Sequence, residues 1–254
     1  MPRLTIITIT YNAEKFLERT LLSVQKALHG FDPDQLEYLI IDGRSKDNTL
    51  AIASRFGFIT KTISEPDKGL YDAMNKGLAK ATGDYVWFLN AGDEVYDSLV
   101  LVQLFTALKK DADIYYSDAM FVREDGSEVG LRSRYTPHAL SQYIKWQDFS
   151  TGMKICHQAF IVKRKLAPLY DITNLSADID WEIVCLKKSE KTIFLPCVLC
   201  KYLLGGTSVQ NHRKSLFDRF RVLRKHFGLI PTVLNHILIF WRSFWFARKN
   251  GKYW

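Results

Sequence analysis

Four times in about the first 110 residues, a short β-branched run gives way to a stretch with apolar residues at helical spacing, and each run ends in a polar loop. The first run is Leu4-Thr5-Ile6-Ile7-Thr8-Ile9-Thr10, followed by Phe16, Leu17, Thr20, Leu21, Val24 and Leu28 at intervals of three and four. The unit recurs as Leu36 to Ile41 then Asn48 to Phe56, Phe58 to Ile63 then Leu70 to Ala81, and Tyr85 to Leu89 then Ser98 to Leu108. A crossover helix returns the chain to a parallel neighbour. The pattern therefore predicts an α/β fold with a mostly parallel sheet flanked by helices.

Ligands of such sheets bind beyond the carboxyl ends of the strands, so the four loops there carry the functional argument. They read Thr10-Tyr11-Asn12, Asp42-Gly43-Arg44-Ser45, Glu65-Pro66-Asp67-Lys68-Gly69 and Asn90-Ala91-Gly92-Asp93-Glu94. Any one alone is adequately explained as a turn and helix cap. Four at one sheet edge point to a ligand site. No G-x-G-x-x-G follows the first strand and no G-x-x-x-x-G-K-[ST] occurs, which argues against a dinucleotide-dependent dehydrogenase and a P-loop enzyme. An aromatic with an amide and an Asp suits a pyrimidine base. A carboxylate such as Asp93 at a strand end suits a hard divalent cation that shares oxygen ligands with phosphates.

Beyond residue 110 the rhythm changes. Asp113 to Met120 is strand-like, Glu124-Asp125-Gly126-Ser127 signals a hairpin, and Ser133 to Trp146 is mixed. Ala159 to Val162 and Thr192 to Leu199 read as strands, with a helix from Ile179 to Leu186 between them. Cys197-Val198-Leu199-Cys200 has C-x-x-C form, but it lacks a second ligand pair and lies on an apolar run, so it reads as core. Four cysteines are too few and too clustered for a disulfide framework. The chain opens Met1-Pro2-Arg3 straight into a strand, so a cytoplasmic location is expected.

The ordered motifs Ile6-Ile7-Thr8-Ile9-Thr10-Tyr11-Asn12, Ile41-Asp42-Gly43-Arg44-Ser45-Lys46-Asp47-Asn48-Thr49, Ser64-Glu65-Pro66-Asp67-Lys68-Gly69-Leu70-Tyr71-Asp72-Ala73-Met74-Asn75-Lys76-Gly77 and Gly83-Asp84-Tyr85-Val86-Trp87-Phe88-Leu89-Asn90-Ala91-Gly92-Asp93 resemble those of the family 2 glycosyltransferases, in particular bacterial members that build surface polysaccharides. The resemblance is dense over 1–95 and looser over 150–210. It implies a GT-A fold, a nucleotide-diphosphate sugar donor with a UDP-sugar expected, Mg²⁺ or Mn²⁺, and inversion at the anomeric carbon. By the same resemblance Thr10, Tyr11 and Asn12 would line base and ribose, and Asp42 would hydrogen-bond the base. Asp67 and Lys68 would border the nucleotide, with Asn90 in the same set. Asp93 would be the last carboxylate of an Asp-x-Asp-type metal motif. Where many members have Asp-Ala-Asp-Asp this chain has Asn90-Ala91-Gly92-Asp93, which leaves one carboxylate and an amide.

Transfer also needs a base for the acceptor hydroxyl. Ser176-Ala177-Asp178-Ile179-Asp180-Trp181-Glu182 resembles the family element that supplies it, with Asp178 at the base position and Asp180 as the alternative. Acids there would equally suit a helix start. Cys156-His157-Gln158-Ala159-Phe160 resembles a segment bordering acceptor and diphosphate, although His157 reads as well as a structural histidine. Gly205 to Ser208 with His212-Arg213-Lys214 resembles the closing segment of the catalytic domain, where Arg213 could meet the diphosphate.

The net charge of +8 is carried by the tail: residues 1–210 hold 25 Lys and Arg against 26 acids, and 211–254 hold 10 against one. That distribution, without aromatics interleaved along a basic groove, excludes a nucleic-acid binder as the leading class. Leu216, Phe220, Leu223 and Phe227 fall on one helical face, and Pro231 to Ala247 is apolar, aromatic and interrupted by Asn235, His236 and Arg242. About 25 Å of helix falls short of a membrane core of ~30 Å. The tail is therefore expected to be a basic amphipathic anchor on the inner face of the cytoplasmic membrane, with a helix pair packed on the domain or in a homo-oligomer as the other reading.

The expected organisation is thus a GT-A domain over 1–210, with a donor half at 1–95 and an acceptor half at 96–210, and a membrane-associating tail at 211–254. The expected activity is hexosyl or N-acetylhexosaminyl transfer to a lipid-linked glycan acceptor. The rivals are a sugar-phosphate nucleotidyltransferase, which would carry a Gly-rich basic loop after the first strand, and a non-catalytic nucleotide-sugar-binding protein.

Overall fold

The computed structural model describes residues 3–29, 31–205 and 212–250. In chain order its strands and principal helices are β1 (Leu4–Thr10), α1 (Leu17–Ala27), β2 (Leu36–Asp42), α2 (Thr49–Ala53), β3 (Lys61–Ser64), α3 (Leu70–Lys80), β4 (Tyr85–Phe88), β5 (Glu94–Val95), α4 (Val100–Leu108), β6 (Ile114–Val122), β7 (Glu128–Leu131), α5 (Arg132–Tyr135), β8 (Phe160–Lys163), α6 (Ala177–Lys188), β9 (Thr192–Leu203), α7 (His212–Phe227) and α8 (Leu229–Asn250). Strand order is β3-β2-β1-β4-β8-β6-β9-β5, with β7 paired to β6.

The four strand–helix units give the parallel block β3-β2-β1-β4. The inner strands β1, β2 and β4 alternate between two cores, as a sheet covered on both faces requires, while β3 forms the more exposed edge. Leu4 and Ile6 of β1 and Tyr38 and Ile40 of β2 pack with Leu17, Leu21 and Val24 of α1 and with Leu101 and Leu104 of α4. Ile7, Ile9, Leu39 and Ile41 pack on the other face with Met74 and Leu78 of α3 and with Trp181 and Ile183 of α6. Each fully buried Leu or Ile contributes about 1.5–3 kcal/mol of transfer free energy.

The second half makes the sheet mixed. β8 runs antiparallel to both β4 and β6, β9 runs parallel to β6, and β5 closes on β9 antiparallel. The short pairing of Glu94 with Lys201 and Val95 with Cys200 draws the end of β9 over the loop after β4. β9 extends to Leu203, beyond the apolar run that ends at Leu199, because pairing continues through the polar residues.

The C-terminal helices pack on the domain. Val222 and Leu223 of α7 are buried, and Asp218 accepts the Leu175 N–H at 3.0 Å. Leu216, expected on the buried face, is exposed, because α7 turns Ser215, Asp218 and Val222 inward instead. α8 is held by Arg242, which donates to the Thr151 carbonyl at 2.9 Å, while Leu234, Leu238, Trp241 and Trp245 remain exposed.

Candidate active site

The ends of β1, β2 and β3 are tied together through Asp42. Its Oδ1 accepts from Thr10 Oγ1 at 2.9 Å and Ser45 Oγ at 2.5 Å; its Oδ2 accepts from the Ser45 N–H at 2.9 Å and Ser64 Oγ at 2.6 Å. Burial pushes the carboxyl pKa up, but these donors outweigh it and hold the group below the ordinary range. Asn12, with φ of 48°, binds the second loop: its N–H donates to Ser45 Oγ and its Oδ1 accepts the Lys46 N–H. In this structure, then, Thr10, Asn12 and Asp42 build the floor of the site, and the expected direct contact of Asp42 with a base competes with four protein donors.

Two groups remain open above that floor. The Tyr11 ring is 65% exposed, and Asp67 stands across from it with Gly43 between them. A Cβ at residue 43 would lie 2.3 Å from Asp67 Oδ2 and 3.3 Å from Tyr11 Cδ2, so the carboxylate and the ring approach residue 43 as closely as they do because it has no side chain. The Lys68 side chain is exposed beside it, and its N–H donates to Asp72.

Across the sheet edge, Asp93 is 4% exposed and its Oδ1 accepts the Leu203 N–H at 2.9 Å. Burial raises its pKa to about 8. Asn90 Oδ1 is buried and takes no hydrogen bond from the protein. Among the described residues no three His, Cys, Asp or Glu groups cluster as a self-sufficient metal site. One carboxylate and one unengaged amide oxygen fit a hard cation that takes its remaining ligands from a diphosphate.

Asp178 and Asp180 open α6 but face different surroundings. Asp180 is held by α7, with His226 Nε2 at 2.5 Å and Lys225 Nζ at 2.9 Å, which keep its pKa low against its burial. Asp178 is partly exposed and burial raises its pKa, opposed by the Ile179 N–H, the Arg219 guanidinium and the Tyr71 hydroxyl. Tyr202, at the end of β9, lies within electrostatic reach of both Asp93 and Asp178. Tyr71, Tyr202 and Arg219 carried no assignment in the sequence reading. Tyr71 lies inside a quoted motif, but nothing local marks Tyr202 or Arg219.

His157 does not border an open acceptor site. It is buried among Phe88, Tyr170 and Trp181, with Nε2 3.0 Å from Tyr170 Oη and Nδ1 3.4 Å from Glu182 Oε1. Burial lowers its pKa to about 3 and keeps it neutral. Gln158 is buried as well, and its Oε1 accepts the Cys156 thiol. Arg213 is exposed in the first turn of α7. The rest of the expected closing segment, 206–211, lies outside the described residues. The four cysteines are free thiols.

A parallel block β3-β2-β1-β4 with polar loops at its carboxyl ends, continued by antiparallel strands into a mixed sheet between helices, is the GT-A fold of sugar transferases. The structure superposes on residues 1–349 of Staphylococcus aureus TarS in complex with UDP-GlcNAc with a TM-score of 0.73 at 16% identity, covering 98% of this chain and 74% of that one. It also superposes on the mannosyltransferase PcManGT of Pyrobaculum calidifontis, in complex with GDP-Man and Mn²⁺, with a TM-score of 0.65 at 17% identity, covering 99% and 76%. The glycosyl transferase family 2 model matches residues 5–167, and the chain belongs to that family. Relatives include an uncharacterised glycosyltransferase of Mycobacterium tuberculosis, 28% identical over 100% of this chain and 95% of its own length. A PGL/p-HBAD biosynthesis glycosyltransferase of Mycobacterium bovis is 30% identical over 82% and 79%.

Proposed function

We propose that the chain is an inverting transferase that moves a hexosyl or N-acetylhexosaminyl group from a UDP-sugar to a hydroxyl of a lipid-linked glycan in bacterial cell-surface polysaccharide assembly. The observation that supports this reading most is a pair of acids: Asp93, buried in the loop that also holds the unengaged Asn90 Oδ1, and Asp178, whose pKa burial raises. Asp178 takes the proton of the acceptor hydroxyl as that oxygen attacks the anomeric carbon from the face opposite the departing diphosphate. Tyr71 and Arg219 stabilise its charged form before the proton arrives. When bound, Mg²⁺ or Mn²⁺ would neutralise charge developing on the diphosphate, with Asp93 and Asn90 as its protein ligands.

The donor half, 1–95, supports a pyrimidine nucleotide through the exposed Tyr11 ring and the neighbouring Asp67 carboxylate, and the TarS complex with UDP-GlcNAc supports the same choice. The acceptor reading draws on the M. bovis relative named for PGL/p-HBAD biosynthesis. No described helix is long and apolar enough to cross a membrane. The exposed apolar and aromatic face of α8, with Arg248 and Lys249 beyond it, supports peripheral binding to an anionic inner leaflet instead.

A panel of UDP- and GDP-sugars, scored for thermal shift with Mn²⁺ and then for hydrolysis and transfer, tests the proposal. UDP-sugars should stabilise and turn over. Turnover that survives unchanged in both Asp93→Ala and Asp178→Ala would overturn it.

A further inference from the structure

Helix α3 is tied to both halves of the site at once. Two of its residues, one turn apart, hold the donor loop: Asp72 accepts the Lys68 N–H at 2.9 Å, and Lys76 Nζ donates to the Pro66 carbonyl at 2.5 Å and pairs with Glu65 at 3.3 Å. The neighbouring pair, Tyr71 and Asn75, is turned about 100° round the helix and reaches instead to the segment that leads into α6. The Tyr71 hydroxyl donates to the Leu175 carbonyl at 3.2 Å. Asn75 engages both backbone groups of Tyr170: its Oδ1 accepts the N–H at 2.7 Å, and its Nδ2 donates to the carbonyl at 3.0 Å.

That double hydrogen bond does for Tyr170 what a neighbouring strand would do. Tyr170 is buried and lies in neither helix nor strand, so its backbone groups need partners from elsewhere. Its ring is the plate on which α6 rests: it stacks on Trp181 with centroids 5.1 Å apart and on Tyr71 at 5.4 Å, and its hydroxyl lies 3.0 Å from His157 Nε2. Trp181 and Asp178 stand three residues apart, one turn along the same face of α6. The far end of the segment is held from α7, where Asp218 accepts the Leu175 N–H and the Ser215 carbonyl accepts the Ser176 hydroxyl. Asn75 fixes the near end, and with it the seat of the first turns of α6.

We infer that Asn75 is a positioning residue for transfer, acting on Asp178 through the backbone of Tyr170 and the Tyr170–Trp181 stack rather than on a substrate. Because the same helix holds the donor loop, α3 sets the spacing between the nucleotide side and the acceptor base. This rests on the reading of Asp178 as the base of a UDP-sugar transferase.

Turnover of the UDP-sugar that the wild type uses, followed as UDP release with water as acceptor, tests the inference in the full chain. Asn75→Ala should lower kcat about tenfold or more, while UDP affinity with Mn²⁺, measured by calorimetry, stays within about twofold. Alanine is the better helix former, so such a loss does not come from α3 unwinding. Asn75→Asp has the same shape, keeps an acceptor for the Tyr170 N–H and loses the donor, so it should give the same split even where the alanine variant folds poorly. The mark of positioning is non-additivity: in an Asp178→Asn background, Asn75→Ala should change kcat by less than about twofold. An equal loss in both backgrounds makes Asn75 merely structural and overturns the inference, as does an unchanged kcat or a UDP affinity that falls in step with it. Hydrogen exchange separates the inference from the transferase reading: amides of 170–178 should exchange about tenfold faster in Asn75→Ala than in wild type, with those of 65–69 unchanged. Equal exchange over 170–178 overturns the anchoring. A wild type that turns over no UDP-sugar, with the faster exchange present in Asn75→Ala, removes the transferase reading and leaves Asn75 as the anchor of the segment.

Discussion

His226 Nε2 lies 2.5 Å from the Asp180 carboxylate, and that contact separates two acids that stand only two residues apart on α6. Asp180 belongs to the packing of α7, while Asp178 is left facing Tyr71 and Arg219. Asp178→Asn should lower kcat by about 10²–10⁴ with donor affinity retained, the range for loss of a general base. Asp180→Asn should keep turnover within a few-fold and cost about 1–2 kcal/mol of stability in urea denaturation through the lost charged hydrogen bonds.

The neutral His157 links stability to pH. Its folded pKa of about 3 lies below an unfolded value near 6.5, so the unfolded chain takes up the proton first. The stability this histidine contributes is complete above pH ~6.5 and is lost as pH falls toward 3. Compared by urea denaturation, the stability advantage of wild type over His157→Phe should shrink by roughly 2 kcal/mol between pH 6.5 and 5. A constant difference across that interval would contradict a buried, neutral imidazole.

The proposed metal role of Asp93 makes cation binding proton-coupled. With its pKa raised to about 8, the free carboxyl is largely protonated at neutral pH and must release that proton to ligate Mn²⁺. The Mn²⁺ affinity of the UDP-bound protein, measured by calorimetry in buffers of different ionisation enthalpy, should rise with pH up to about 8. Asp93→Asn should flatten that rise and lower turnover at least tenfold.

Gly77 permits the contact between α3 and β1. A Cβ there would stand 2.6 Å from Ile7 Cγ2 and 3.4 Å from Ile41 Cγ1, both on fully buried strands. Gly77→Ala gains about 1 kcal/mol of helix propensity but overpacks this seam by about 1–3 kcal/mol. A lowered melting temperature with little change in UDP affinity is expected, because the donor loops lie at the strand ends and not under α3.

Much of the donor half was legible in the sequence. The alternation of Leu4, Ile6, Ile7 and Ile9 reported a strand buried on both faces, and the four polar loops reported the functional edge. The roles within that edge were less legible. Thr10, Asn12 and Asp42 resemble ligand-binding residues, and the structure ties Thr10 to Asp42, Asp42 to Ser45 and Asn12 to Ser45 and Lys46, while the Tyr11 ring stays exposed. In the acceptor half the short β5–β9 pairing, which brings Tyr202 to Asp93, has no periodicity to announce it.

By itself, the sequence determined the strand–helix rhythm and the family, because periodicity, turn chemistry and residue type are local properties. Only the tertiary structure decided that Asp180 is held by His226 and Lys225 while Asp178 is not, and that His157 is sealed among aromatics. Those outcomes depend on which groups lie next to each other after folding. A carboxylate's desolvation, its hydrogen-bond donors and the nearest opposite charge come from residues tens of positions away in the chain.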